Sequence, residues 1–111
     1  MPLLTLTTSI EIKDKNLFIK NCSHLVSKLT NKSEQYVMVR LFDQIPMYFD
    51  GDQSPSCFID LKSIGSLKLS LISQELSIYI SNQIGIPIKR IYISFEEIDA
   101  SNWAWNGKTF G

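Results

Sequence analysis

A chain of 111 residues with 44% apolar and 20% charged side chains has the makeup of a small folded protein with a modest core, which excludes a disordered segment. Eleven basic residues balance eleven acidic ones and neither sign forms a block, so the clustered Lys and Arg footprint of a nucleic-acid binder is missing. Two cysteines, Cys22 and Cys57, could pair in principle, but with this apolar content they read as buried thiols of a reducing compartment.

The chain opens Met1-Pro2. The small second residue predicts removal of Met1, which leaves Pro2 with a free secondary amine. Such a nitrogen can act as a base or nucleophile without any side chain. Met-Pro starts are also common in proteins with no such chemistry, so the weight falls on where the fold carries this nitrogen. Pro2 to Thr8 is too short and too Thr-rich for a signal peptide, and no apolar run is long enough to span a bilayer. The cytoplasm is the expected compartment, with no membrane partner.

Pro2–Thr8 reads as a strand. Asp14 suits a helix N-cap, Leu17, Phe18, Cys22, Leu25, Val26 and Leu29 recur at helical spacing, and Asn31 suits the left-handed turn that ends the helix. Tyr36–Phe42 is the next predicted strand, and Met47–Phe49 a short one entering an Asp50-Gly51 turn. Cys57–Ile64 is a strand again. Leu67, Leu71, Ile72, Leu76, Ile80 and Ile84 then mark an amphipathic helix stopped by Gly85, and Ile91–Phe95 is the matching strand.

The two halves share one plan, offset by 55 residues from Pro2 to Cys57 and from Tyr36 to Ile91. The chain is therefore expected to be a single domain over 1–111, α+β in class. It would be a duplicated βαβ unit (βαββαβ) over roughly 2–49 and 57–98 with a C-terminal segment 99–111. A four-stranded mixed sheet with two helices on one face follows, because each parallel strand pair needs a crossover. The other face alternates polar and apolar residues and has no cover within the chain, which predicts a homo-oligomer.

Topology also predicts a site. Lys32 sits in the loop between the first helix and the second strand, and in a right-handed unit that loop returns to the edge where the first strand begins. If the second unit runs antiparallel to the first, Ile64 reaches the same edge. A basic amine needs to be neutral to accept a proton. Apolar burial and a neighbouring cation both lower its pKa, and a shift of two units is worth about 2.7 kcal/mol. Lys32 would also hold a substrate carboxylate. Proton transfer beside a carbonyl is the chemistry this combination serves.

The sequence resembles the macrophage migration inhibitory factor family of the tautomerase superfamily. The likeness runs nearly end to end and rests on Met1-Pro2, Asn31-Lys32 with Gln35-Tyr36, Ser63-Ile64-Gly65, Arg90-Ile-Tyr-Ile93, and Asn102 followed by Trp105-Asn106 and Thr109-Phe110. The resemblance implies a homotrimer whose sheets enclose a central channel, with sites at subunit interfaces. It implies a keto–enol tautomerase acting on phenylpyruvate-like 2-oxo acids or their enols, with no metal and no organic cofactor. Pro2 would be the catalytic base that also returns the proton. Lys32 would bind the carboxylate with help from the Ile64 backbone N–H, and Tyr92 would come from the neighbouring subunit. Tyr36, Trp105 and Phe110 match pocket aromatics of the family.

The chain also departs from the family. Ser94 stands where mammalian members carry Asn, so weaker preference for a para-hydroxylated substrate is expected. Trp103 replaces a small aliphatic residue and is expected to narrow the pocket mouth. The Cys-x-x-Cys of the family reads Ser56-Cys-Phe-Ile59 here, which removes dithiol exchange by that motif. Near Glu11-Ile12 the basic residue of the receptor-binding turn has no match, although Asp43 fits its acidic partner. An oligomeric binding or signalling module with a vestigial pocket is the alternative reading. Decarboxylase or dehalogenase chemistry would need further charged pocket groups, and Arg40 and Arg90 fall on or beside strands. His24 lacks a second ligand at metal spacing.

Overall fold

In the computed structural model, which describes residues 1–111, β1 (Leu3–Thr8) lies between β2 (Met38–Phe42) and β3 (Cys57–Ile64), and β4 (Ile91–Ile98) completes the sheet beside β3. β1 runs parallel to β2 and β3 parallel to β4, while β1 and β3 join the two pairs antiparallel. Each parallel pair is bridged by a helix, α1 (Lys15–Thr30) and α2 (Leu69–Ile84). This is the expected duplicated unit in one mixed sheet.

Both helices cover the same face. Phe18, Cys22 and Val26 of α1 and Ile72, Leu76 and Ile80 of α2 recur every four residues, a spacing that aligns them on one stripe. They meet Leu4, Leu6, Ile59 and Leu61 in one buried cluster. The opposite face leaves Met38, Phe42 and Tyr92 exposed. The Asp14 carboxylate accepts the Leu17 N–H at the start of α1, and Asn31 ends that helix in the left-handed conformation. α2 starts at Leu69 without a side-chain cap, and Leu67 lies ahead of it, donating its N–H to the Glu97 carboxylate at 2.7 Å. No helix is long and apolar enough to cross a membrane.

The structure corrects the repeat in one respect. Leu4 and Leu6 correspond to Ile59 and Leu61, but Phe18, Cys22 and Val26 correspond to Ile72, Leu76 and Ile80, so the offset drops from 55 to 54 between strand and helix. The second strand-to-helix link is one residue shorter. Val37, not Tyr36, therefore matches Ile91. Tyr36 belongs to a short 3₁₀ turn, Glu34–Tyr36, whose counterpart is Ile88–Arg90. β2 accordingly begins two residues later than its apolar pattern suggests, and β4 continues past Phe95 to Ile98.

Met47–Phe49 forms no strand and contributes one antiparallel bridge, Phe49 to Asp52, around Asp50-Gly51. A second ribbon was not foreseen: β5 (Ala104–Trp105) pairs with β6 (Lys108–Thr109) around Asn106-Gly107. Both turns place their central residues at positive φ, 53° and 79° in the first and 53° and 80° in the second. That is the hairpin turn that Asp-Gly and Asn-Gly favour.

Arg90 is a buried structural clamp. Its guanidinium donates to the carbonyls of Phe49, Ser54 and Pro55 at 2.8–3.1 Å, pairs with Asp52 at 3.2 Å and lies over the Phe49 ring. The Asp43 carboxylate accepts the Ile12 N–H at 3.0 Å and meets Lys15 at 3.3 Å, bracing the loop ahead of α1. Cys22 and Cys57 are free, buried thiols whose pKa values burial pushes up to about 12.

Candidate active site

The site gathers where β1 begins. The Pro2 carbonyl accepts the Met38 N–H at 3.0 Å, which locks the head of β2 against the first residues of the chain. Lys32 is fixed at both ends of its backbone by one residue of α1. Its N–H donates to the Ser27 carbonyl at 3.1 Å and its carbonyl accepts the Ser27 hydroxyl at 2.6 Å. The left-handed Asn31 makes that reversal possible. Ile64 ends β3 at the same edge because β3 runs antiparallel to β1. Gly65 then turns the chain away at a φ of 85°, its N–H donating to the Ile98 carbonyl.

Two cavities open here, and Met1 and Tyr36 line both. One, of about 400 Å³, is bounded by Asn31, Lys32, Ser33, Ile64, Ala100 and Phe110. The other, of about 480 Å³, is bounded by Pro2, Leu3, Met38, Lys62, Trp103 and Trp105, among others. Volumes of this size suit a small organic ligand. With Met1 in place Pro2 is fully buried. Burial and, after it, the neighbouring Lys32 ammonium hold the Met1 α-amine below its usual range, because both disfavour its charged form.

The C-terminal segment roofs the cleft. The Phe110 N–H donates to the Trp103 carbonyl at 3.0 Å, tying the β5–β6 ribbon down. The rings of Tyr36 and Trp105 meet edge to face at 5.8 Å. Thus Pro2, Tyr36, Trp103 and Trp105 line one cavity, and Lys32, Ile64, Tyr36 and Phe110 line the other. Trp103 sits at the wall of the larger cavity.

Tyr92 and Ser94 do not join them within one chain. Tyr92 packs on Phe49 at 4.7 Å and Phe58 at 6.2 Å, and Phe58 pairs with Thr7 at the far end of β1 from Pro2. The sequence reading missed Lys62 as a cavity residue. Its signal was a second charge, two residues after Asp60, on the side of the strand that alternates with the buried Ile59 and Leu61. His24 pairs with Glu34 at 2.9 Å, and no cluster of three metal-ligating side chains exists.

The family model described as macrophage migration inhibitory factor matches residues 1–111. The macrophage migration inhibitory factor homolog of Brugia malayi is 34% identical, over 100% of both chains. Among solved structures, the macrophage migration inhibitory factor homologue from Prochlorococcus marinus superposes with a TM-score of 0.91 at 35% identity, covering 98% of this chain and 99% of that one. The factor from Trichinella spiralis gives 0.87 at 32% identity, covering 97% and 99%. A match across the whole chain, in sequence and in fold, means that this chain belongs to the macrophage migration inhibitory factor family.

Proposed function

We propose that the protein is a cofactor-independent keto–enol tautomerase of phenylpyruvate-like 2-oxo acids, with the Pro2 amine as its base once Met1 is removed. The observation that carries this reading is the placement of the first residues at the head of β1, in a cleft with Lys32 on one wall and aromatic rings on another; the Met1 α-amine there is held below its ordinary pKa by burial and by that lysine. The same two influences are expected to act on the Pro2 amine that removal of Met1 would expose. A neutral Pro2 nitrogen takes the proton from C3 of the 2-oxo acid and returns it to the carbonyl oxygen, or runs the exchange in reverse. Lys32 holds the carboxylate and offsets the enolate charge as it develops.

The working unit in this reading is a homotrimer in which a neighbouring copy supplies Tyr92 and Ser94. The uncovered sheet face supports it, since Met38 (61% exposed), Phe42 (48%) and Tyr92 (57%) lie bare in one chain. Sedimentation equilibrium measures the assembly directly. The shorter Ser94 is expected to reduce preference for hydroxyphenylpyruvate over phenylpyruvate relative to an Asn-bearing relative, in side-by-side assays.

Intact mass paired with enol ketonisation tests the chemistry. Protein lacking Met1 should turn over enol-phenylpyruvate, and Pro2→Gly, checked for an unchanged assembly, should lose roughly 10²–10⁴-fold of that rate. Full turnover by Pro2→Gly, or by protein that retains Met1, would overturn the proposal. The binding-module alternative gains if a cellular phenotype survives that substitution.

A further inference from the structure

The larger cavity holds a feature that the proposed chemistry leaves unused. Leu3 pairs with Met38 on one side and with Lys62 on the other, so three adjacent strands each give one residue to its floor. Trp103 and Trp105 line it as well. Lys62 is the only charged side chain on its wall. The Lys62 side chain is 43% exposed in one chain, and the cavity wall beside it is largely apolar, so an anion entering the cavity would meet its ammonium in surroundings drier than bulk solvent.

The protein supplies only a weak partner. Glu96 stands 3.9 Å from the Lys62 ammonium, is itself 62% exposed and does not line the cavity. Asp60 lies two residues along the same side of β3 and does not line it either. An ammonium carries three donors on a flexible stem, so Lys62 can turn to a ligand without breaking a tight pair.

The two cavities meet at Met1, with Lys32 on the wall of one and Lys62 on the wall of the other. Met1 and Tyr36 are the lining residues the two cavities share, so removal of Met1 leaves Tyr36 alone between the space beside Lys32 and the space beside Lys62. Resting on the tautomerase reading, we infer that the site selects 2-oxo acids bearing a second, distal carboxylate, with Lys32 taking the first carboxylate and Lys62 the second.

The test compares phenylpyruvate with its para-carboxylated analogue in protein shown by mass to lack Met1. The unaltered protein should favour the dicarboxylate by about tenfold in kcat/KM, the size of one charge-assisted contact. Lys62→Gln should erase that preference and leave phenylpyruvate within about twofold, whereas Lys62→Arg should keep it. No preference in the unaltered protein, or equal loss on both substrates in Lys62→Gln, overturns the inference. If phenylpyruvate is not turned over at all, the tautomerase reading fails by itself. Calorimetric binding of the dicarboxylate then decides the point: about tenfold weaker binding to Lys62→Gln upholds the anion position, and equal binding removes it.

Discussion

At the end of α1 the Ser27 hydroxyl donates to the Lys32 carbonyl, and at the end of α2 the Ser81 hydroxyl donates to the Ile86 carbonyl, both at 2.6 Å. The same corner is built twice, each followed by a 3₁₀ turn and a strand. In the first copy the corner carries Lys32 and Tyr36, and in the second the matching positions are Ile86 and Arg90. Pro2 corresponds to Cys57, since Leu4 corresponds to Ile59. One corner holds an amine beside a cation, whereas the other is filled by a buried thiol, a buried isoleucine and a clamped arginine.

The closures mirror each other too. The segment after the first unit, turning at Asp50-Gly51, lies over Arg90 of the second. The segment after the second, turning at Asn106-Gly107, lies over Tyr36 of the first. The backbone thus makes a pocket-shaped corner at both ends of the sheet, and side chains decide which end is reactive.

Converting the first corner into the second should have the largest effect. Lys32→Ile is expected to lower kcat/KM for phenylpyruvate by roughly ten- to a hundredfold, through the lost charge-assisted contact to the carboxylate. The same change removes a positive charge that opposes protonation of the amine. The amine pKa then rises, and the acid limb of the pH–rate profile should move to higher pH. An unmoved limb would mean that burial alone sets the amine.

Breaking the second corner should cost stability instead of chemistry. Arg90→Met leaves the Phe49, Ser54 and Pro55 carbonyls and Asp52 without their partner. About 3 kcal/mol of unfolding free energy should go, measured by urea denaturation, with enol turnover per folded molecule unchanged. The smallest effect compares the two turns. Gly51→Ala and Gly107→Ala meet no atom within 4 Å, so each should cost only the left-handed strain, about 1 kcal/mol, and by nearly the same amount.

Much of this fold was legible because its signals are local. Asp14, Asn31 and Gly85 bounded the helices, and the buried stripes of α1 and α2 followed from residue spacing alone. The convergence of Pro2, Lys32 and Ile64 followed from strand direction. The Arg90 clamp was not legible, because its acceptors are backbone carbonyls of a loop about forty residues away, and carbonyls leave no mark on a sequence. The one-residue slip in the repeat escaped because strand and helix carry different periods, so a single offset cannot register both. Asn106-Gly107 is a strong hairpin signal, but its flanking strands have two residues each and offer no alternation to read. Lys62 was hidden for a simpler reason: its surroundings are assembled from three strands and the tail.

The two sulfhydryls have a practical consequence. Both are enclosed, and with pKa values near 12 almost none of either is ionised at neutral pH, so alkylating reagents should pass them by. A cysteine introduced on the exposed side of the helix layer, at Lys20 for example, could then take a fluorophore with little background. Energy transfer between labelled copies would report, in real time, how this molecule associates and how fast its copies exchange.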